Sequence, residues 1–90
     1  MATPERPSLI EYPSRFPIKV MGANDPGFEA AMVDVARQFD PAYDPATLQV
    51  RPSSGGKYLG LTLDITATSR EQLDALYRAL SSHPMVKVVL

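Results

Sequence analysis

From Tyr58 to Thr68 the chain alternates without a break. Leu59, Leu61, Leu63, Ile65 and Ala67 share one face, while Tyr58, Gly60, Thr62, Asp64, Thr66 and Thr68 share the other. A period of two with one apolar side predicts a half-buried strand. Phe16-Pro17-Ile18-Lys19-Val20-Met21 repeats the pattern over a shorter span, with Phe16, Ile18 and Val20 inward and Gly22 as its end. Leu48 and Val50 predict another strand, with Gln49 and Arg51 on its polar side. Met85 to Leu90 predicts a last strand, with Val86, Val88 and Leu90 on the buried face and Met85, Lys87 and Val89 opposite. Two segments carry the longer helical period instead. Phe28, Met32, Val35, Ala36 and Phe39 fall on one helical face. Asn24 or Asp25 supplies a cap and Pro26 suits the first helical position, while Asp40-Pro41 stops the helix. Ser69 followed by Gln72 has capping-box spacing, and Leu73, Leu76, Tyr77 and Leu80 form the stripe of a second helix.

The element order is therefore strand, helix, strand, strand, helix, strand. Each strand has one apolar face and each helix one apolar stripe. Two layers satisfy both demands: a four-stranded antiparallel sheet with both helices on one side. Right-handed crossovers then give an α+β, ferredoxin-like βαββαβ sandwich with spatial strand order 4-1-3-2. The second sheet face is left uncovered, and the outer strands offer edges on which a second copy can pair as a homodimer. Pro4, Pro7 and Pro13 keep residues 1–15 extended, with Leu9, Ile10 and Tyr12 as apolar anchors. Residues 16–90 form the single domain.

Composition narrows the partners. The chain has 90 residues, enough for one domain with a modest core. Its net charge of −1 gives no overall positive field to gather nucleic acid or anionic lipid. It has no cysteine, which excludes disulfides, thiol chemistry and thiolate-held metals. No stretch approaches the roughly 20 apolar residues that span a bilayer, so the expected location is the cytoplasm.

Arg51-Pro52-Ser53-Ser54-Gly55-Gly56-Lys57-Tyr58 holds the ingredients of a phosphate loop, but not in the needed order. Arg51 stands where the leading glycine belongs, Tyr58 follows the lysine, and a strand follows where a helix should begin. Paired glycines between two alternating runs read as a hairpin. Arg51, Ser53, Ser54, Lys57, Tyr58 and Asp64 are the candidate interaction surface, formed by the hairpin and the uncovered sheet face, with Asp64 expected to pair with Lys19 across the strands. Arg51, Lys57, Lys19 and Lys87 offer an alternative use of that surface, nucleic-acid binding. Tyr58 is the only aromatic there, however, where RNA-binding sheets stack bases on several. His83, the only histidine, reads as a turn residue before Pro84. There is no nucleophile elbow and no metal-ligand spacing, so neither an enzyme nor a cofactor is expected.

The junction Val20-Met21-Gly22-Ala23-Asn24-Asp25-Pro26-Gly27-Phe28 is the remaining candidate. A glycine that lets the backbone approach closely, followed by a helix N-terminus, suits a carboxylate. Gly22, Asn24, Asp25 and Gly27 are its candidate ligand-binding residues. The stretch resembles the signature of ACT domains, small-molecule regulatory modules of βαββαβ fold, with Asn24 in place of that signature's aspartate. A wider resemblance rests on Glu11-Tyr12-Pro13, Phe16, Lys19-Val20-Met21-Gly22, Pro52-Ser53-Ser54, Gly56, Tyr58, Ala67-Thr68, Glu71-Gln72, Leu76-Tyr77 and Val88-Val89-Leu90. In these the chain is similar to the bacterial YbeD-like family. That resemblance implies a small cytoplasmic protein with an ACT-like fold, no assigned activity and a regulatory role linked to lipoate metabolism. The expected function is thus a non-catalytic regulatory or protein-interaction module that binds a small carboxylate or a protein partner.

Overall fold

A computed structural model of the protein describes residues 11–90. The anchoring roles expected of Leu9 and Ile10, and most of the N-terminal arm, lie outside the described residues. The elements are β1 (Ser14–Ala23), α1 (Phe28–Phe39), β2 (Gln49–Pro52), β3 (Tyr58–Ala67), α2 (Arg70–Ser81) and β4 (Val86–Val89). All strand pairs are antiparallel, in the order β2-β3-β1-β4. This is the βαββαβ sandwich that the periodicities predict.

Both central strands are ten residues long and pair along their full length, from Ser14 opposite Ala67 to Ala23 opposite Tyr58. β1 thus runs past both ends of the stretch that alternation marks out. Pro17 sits inside it, but β4 reaches only Lys19 to Gly22. At Pro17 the strand has a neighbour on one side only, the edge-like setting where a missing N–H costs least.

Ile18 and Val20 of β1 and Leu61, Leu63 and Ile65 of β3 are buried against Phe28, Met32 and Ala36 of α1 and Leu76 and Leu80 of α2. Both helices therefore lie on one side of the sheet. Burying a large aliphatic or aromatic side chain contributes about 1.5–3 kcal/mol, so this shared cluster is the main source of stability.

Side-chain ties fix the ends of the elements. The Ser69 hydroxyl accepts from the Gln72 N–H at 3.0 Å, and Gln72 Oε1 accepts from the Thr68 N–H at 2.7 Å, a capping box shifted outward by one residue. The Gln72 amide also donates to the carbonyls of Phe39 and Thr66, joining the end of α1 to the end of β3. Asp40, 7% exposed, accepts from the backbone N–H of Thr66 at 3.0 Å and of Ala42 at 3.3 Å. The start of α1 departs from expectation. Gly27 occupies the cap position without a side-chain bond, and Pro26 lies in the preceding turn. Asp25 accepts from the Gly27 N–H at 3.0 Å and so shapes that turn rather than the helix itself.

The last strand corrects the predicted pattern. Val20 pairs with Val89 and Met21 with Val88, but Gly22 pairs with Val86. Lys87 is the extra residue of a β-bulge, and a bulge reverses the alternation beyond it. Val86 and Val89 pack towards the helices, whereas Val88 and Leu90 face away from them, 43% and 71% exposed. Met85, expected on the uncovered face, instead precedes the strand and packs against the core.

Candidate functional site

Gly22 is buried, and its missing side chain is what allows the chain to close there. A Cβ at this position would lie 2.2 Å from the Met85 carbonyl oxygen and 2.8 Å from Phe28 Cζ. The space that looks like room for a ligand is thus taken by the protein's own backbone and a core ring. Asn24 is similarly occupied. Its backbone N–H donates to the Lys57 carbonyl at 3.1 Å, and its side-chain amide donates to the Gly56 carbonyl at 2.9 Å. Two candidate regions that stand apart in the sequence, the strand–helix junction and the hairpin, are therefore one structure.

The hairpin loop spans residues 53–57. The Ser53 carbonyl accepts from the Gly56 N–H at 2.8 Å, and Gly55 and Gly56 both have positive φ, 88° and 72°. A side chain at either glycine would meet nothing, so their role is conformational. The Ser53 hydroxyl accepts from the Tyr58 N–H at 3.0 Å, while the Ser53 N–H donates to the Tyr58 carbonyl at 2.9 Å. Ser53 therefore closes the loop, and Ser54 is exposed at its tip. The Lys57 ammonium lies 5.8 Å from the centre of the Tyr58 ring, within range of a cation–π contact.

On the uncovered face, the ladder registers set the side chains in rows. Arg51, Gly60, Met21 and Val88 form one row across the four strands. Gln49, Thr62, Lys19 and Leu90 form the next, the last joined by the Leu90 N–H donating to the Lys19 carbonyl at 2.7 Å. Because Gly60 carries no side chain, the rows enclose a groove of about 280 Å³ over β3. Arg51 and Gln49 border it on one side, Met21 and Lys19 on the other, with Leu90 at the end. Met21, Val88 and Leu90 give this face a contiguous apolar edge, 38%, 43% and 71% exposed.

Asp64 lies further along the same face, and its partner is Arg15 rather than the expected Lys19. Arg15 stands opposite Thr66 and Lys19 opposite Thr62, so both are diagonal to Asp64, and the arginine takes it. The hydrogen bond and the charge of Asp64 push the pKa of Arg15 up. Among the described residues, this leaves Lys19 and Arg51 with no carboxylate partner. Among those residues the groove lining carries these two cations and no acidic side chain.

His83 Nδ1 accepts from the Met85 N–H at 3.1 Å, which fixes the turn before β4. Among the described residues, no cluster of three or more His, Asp or Glu side chains has the geometry to hold a metal ion. None of the described helices is long and apolar enough to cross a membrane.

A family of proteins of unknown function, DUF493, matches residues 7–90. The chain belongs to the DUF493 family. Its relatives carry the name UPF0250 protein. One from Leptothrix cholodnii is 66% identical over 87 residues, covering 97% of this chain and 96% of the relative. Another from Ralstonia nicotianae is 64% identical over 89 residues, covering 99% and 92%. A third from Bordetella parapertussis is 62% identical over 87 residues, covering 97% and 96%. The YbeD-like resemblance thus extends over nearly the whole chain, and these bacterial DUF493 relatives carry no catalytic name.

Sequence reasoning places Arg51, Asp64 and the hairpin residues on the surface, but it misses the groove. The glycine at position 60 is its one visible signal, a residue without a side chain near the start of an otherwise regular strand.

Proposed function

We propose that this DUF493 protein is a non-catalytic interaction module that binds a partner protein through the uncovered face of its sheet. The observation that carries the reading is the bulge at Lys87. It turns Val88 and Leu90 out beside Met21, so that three large apolar side chains share a face that neither helix covers. Exposed apolar groups clustered on one face and bordered by polar ones mark interaction surfaces, whereas single exposed apolar residues are ordinary. The polar groups of the junction and the hairpin are engaged with each other, which favours the sheet face over the Gly22–Gly27 turn as the place of contact.

The test is site-specific photo-crosslinking in a native bacterial host. A benzophenone side chain at position 88 is compared with one at Asp74, an exposed residue of α2. A discrete adduct from position 88, absent from position 74, is the expected result. Equal labelling at both positions, or none at 88, refutes the reading. An adduct at 88 that contains only a second copy of the chain replaces the partner protein with a homodimer.

A further inference from the structure

We infer that the groove over Gly60 receives an acidic segment of the partner protein, one that carries an aliphatic side chain flanked by carboxylates. The inference rests on the sheet-face reading above and adds the chemistry of what binds there. Charge decides the sign of the partner. Lys19 and Arg51 border the groove from opposite sides, its lining holds no acidic side chain among the described residues, and Asp64 nearby is already paired with Arg15. A second copy meeting this one through the same face would set these cations against their own kind, whereas carboxylates would complete them. Arg51 adds geometry as well as charge, because a guanidinium binds a carboxylate through two parallel hydrogen bonds.

Apolar surface decides the other half of the partner. Gly60 leaves a gap in the middle of the face, with Met21 on one side and Leu90 at the end. The flanking side chains on β2 and β1 stand about 10 Å apart, two strand spacings, which is wide enough to admit one aliphatic side chain between them. Size separates a protein segment from a free small molecule. A groove of about 280 Å³ sits at the bottom of the range of ligand pockets, and being open along one side it leaves much of an occupant's surface exposed. It suits an anchoring side chain whose affinity is shared with contacts elsewhere on the face, such as those to Val88.

The experiment uses the full chain, isotopically labelled, and follows backbone amide signals as short Gly/Ser peptides are added. The first peptide carries one leucine flanked by glutamates. In the second, lysines replace the glutamates; in the third, serine replaces the leucine. Hexanoate serves as a free carboxylate. The first peptide is expected to shift Lys19, Met21, Arg51, Gly60 and Thr62, and to lose roughly tenfold in affinity in Arg51→Glu and again as salt is raised. Gly60→Val fills the gap and is expected to abolish the shifts. Arg51 is exposed, and its exchange leaves the core intact, so the inference stays testable even if Gly60→Val unfolds. Equal binding of the glutamate and lysine peptides, equal binding of the serine peptide, or shifts confined to other surfaces overturn the inference. Hexanoate binding as tightly as the first peptide overturns the segment in favour of a free carboxylate. If position 88 crosslinks to a partner while the acidic peptide leaves Gly60 unmoved, the charge assignment fails and the sheet-face reading stands. If position 88 captures nothing, the sheet-face reading fails, whatever the peptides do.

Discussion

Gly22→Ala adds one methyl group, and the structure says where it goes. The new Cβ would lie 2.2 Å from the Met85 carbonyl oxygen, and ordinary contact begins near 3.4 Å. Something must therefore move by more than about 1 Å. Phe28 Cζ would lie 2.8 Å from it as well, and Phe28 is fully buried, so its ring has no room to retreat. The carbonyl moves only if the turn before β4 moves, and that turn is held by two bonds, Met85 N–H to His83 Nδ1 and Val86 N–H to the His83 carbonyl, each 3.1 Å. Overpacking a core costs about 1–3 kcal/mol, and each lost hydrogen bond adds about 1 kcal/mol, which gives roughly 3–5 kcal/mol in total. A domain of this size loses about 4–8 °C of Tm per kcal/mol, so a drop of at least about 12 °C is expected. Gly27→Ala is the control. A Cβ there meets Asp25 Oδ1 at 3.6 Å and Met85 Cε at 3.9 Å, both ordinary contacts, and the change should cost under about 1 kcal/mol. Urea and thermal unfolding followed by circular dichroism compare the two. The reasoning is refuted if Gly22→Ala melts within a few degrees of Gly27→Ala.

Tyr43 is 3% exposed, and among the described residues its hydroxyl has no hydrogen-bond partner; nearby Thr47 donates its own hydroxyl to the Asp44 carbonyl at 2.7 Å. Tyr43→Phe should therefore stabilise the fold by about 1 kcal/mol, visible as a higher urea midpoint, and a loss of that size would mean the hydroxyl is satisfied. Burial pushes the Tyr43 pKa above its ordinary value of 10.0, and it does the same at Tyr77. The unfolded chain therefore ionises first. Stability that is complete below pH 10.0 declines as pH rises through the raised values, and Tyr43→Phe should shallow that decline in unfolding curves measured across the range. Asp40→Ala leaves the Thr66 N–H without its acceptor and should cost about 1–3 kcal/mol, with faster amide exchange at Thr66 as the local readout.

Much of this architecture is legible because period and face agree. The eleven alternating residues from Tyr58 leave no second way to bury Leu61, Leu63 and Ile65. β4 is different. Val86, Val88, Val89 and Leu90 are all apolar, so composition does not say which of them turns outward. The answer lies in the register with β1, where Met21 pairs with Val88 but Gly22 with Val86, a pairing between residues far apart in the chain. The partner of Asp64 is hidden for a related reason. Arg15 and Lys19 are both cations diagonal to it in the ladder, and only the side-chain arrangement separates them. The groove is a property of rows that run across strands, and no single segment contains a row.

The bonds from Asn24 to Gly56 and Lys57 have a dynamic consequence. They extend the β1–β3 ladder by one more rung, past the point where either strand ends. The hairpin tip then has no independent freedom, because opening it also releases the turn that leads into α1. The two loops should behave as one cooperative opening unit, with the amides of Asn24, Gly56 and Tyr58 exchanging at a common rate. A substitution at the tip would then be felt at the start of the helix, and a label on Lys57 would report on a segment more than thirty residues upstream.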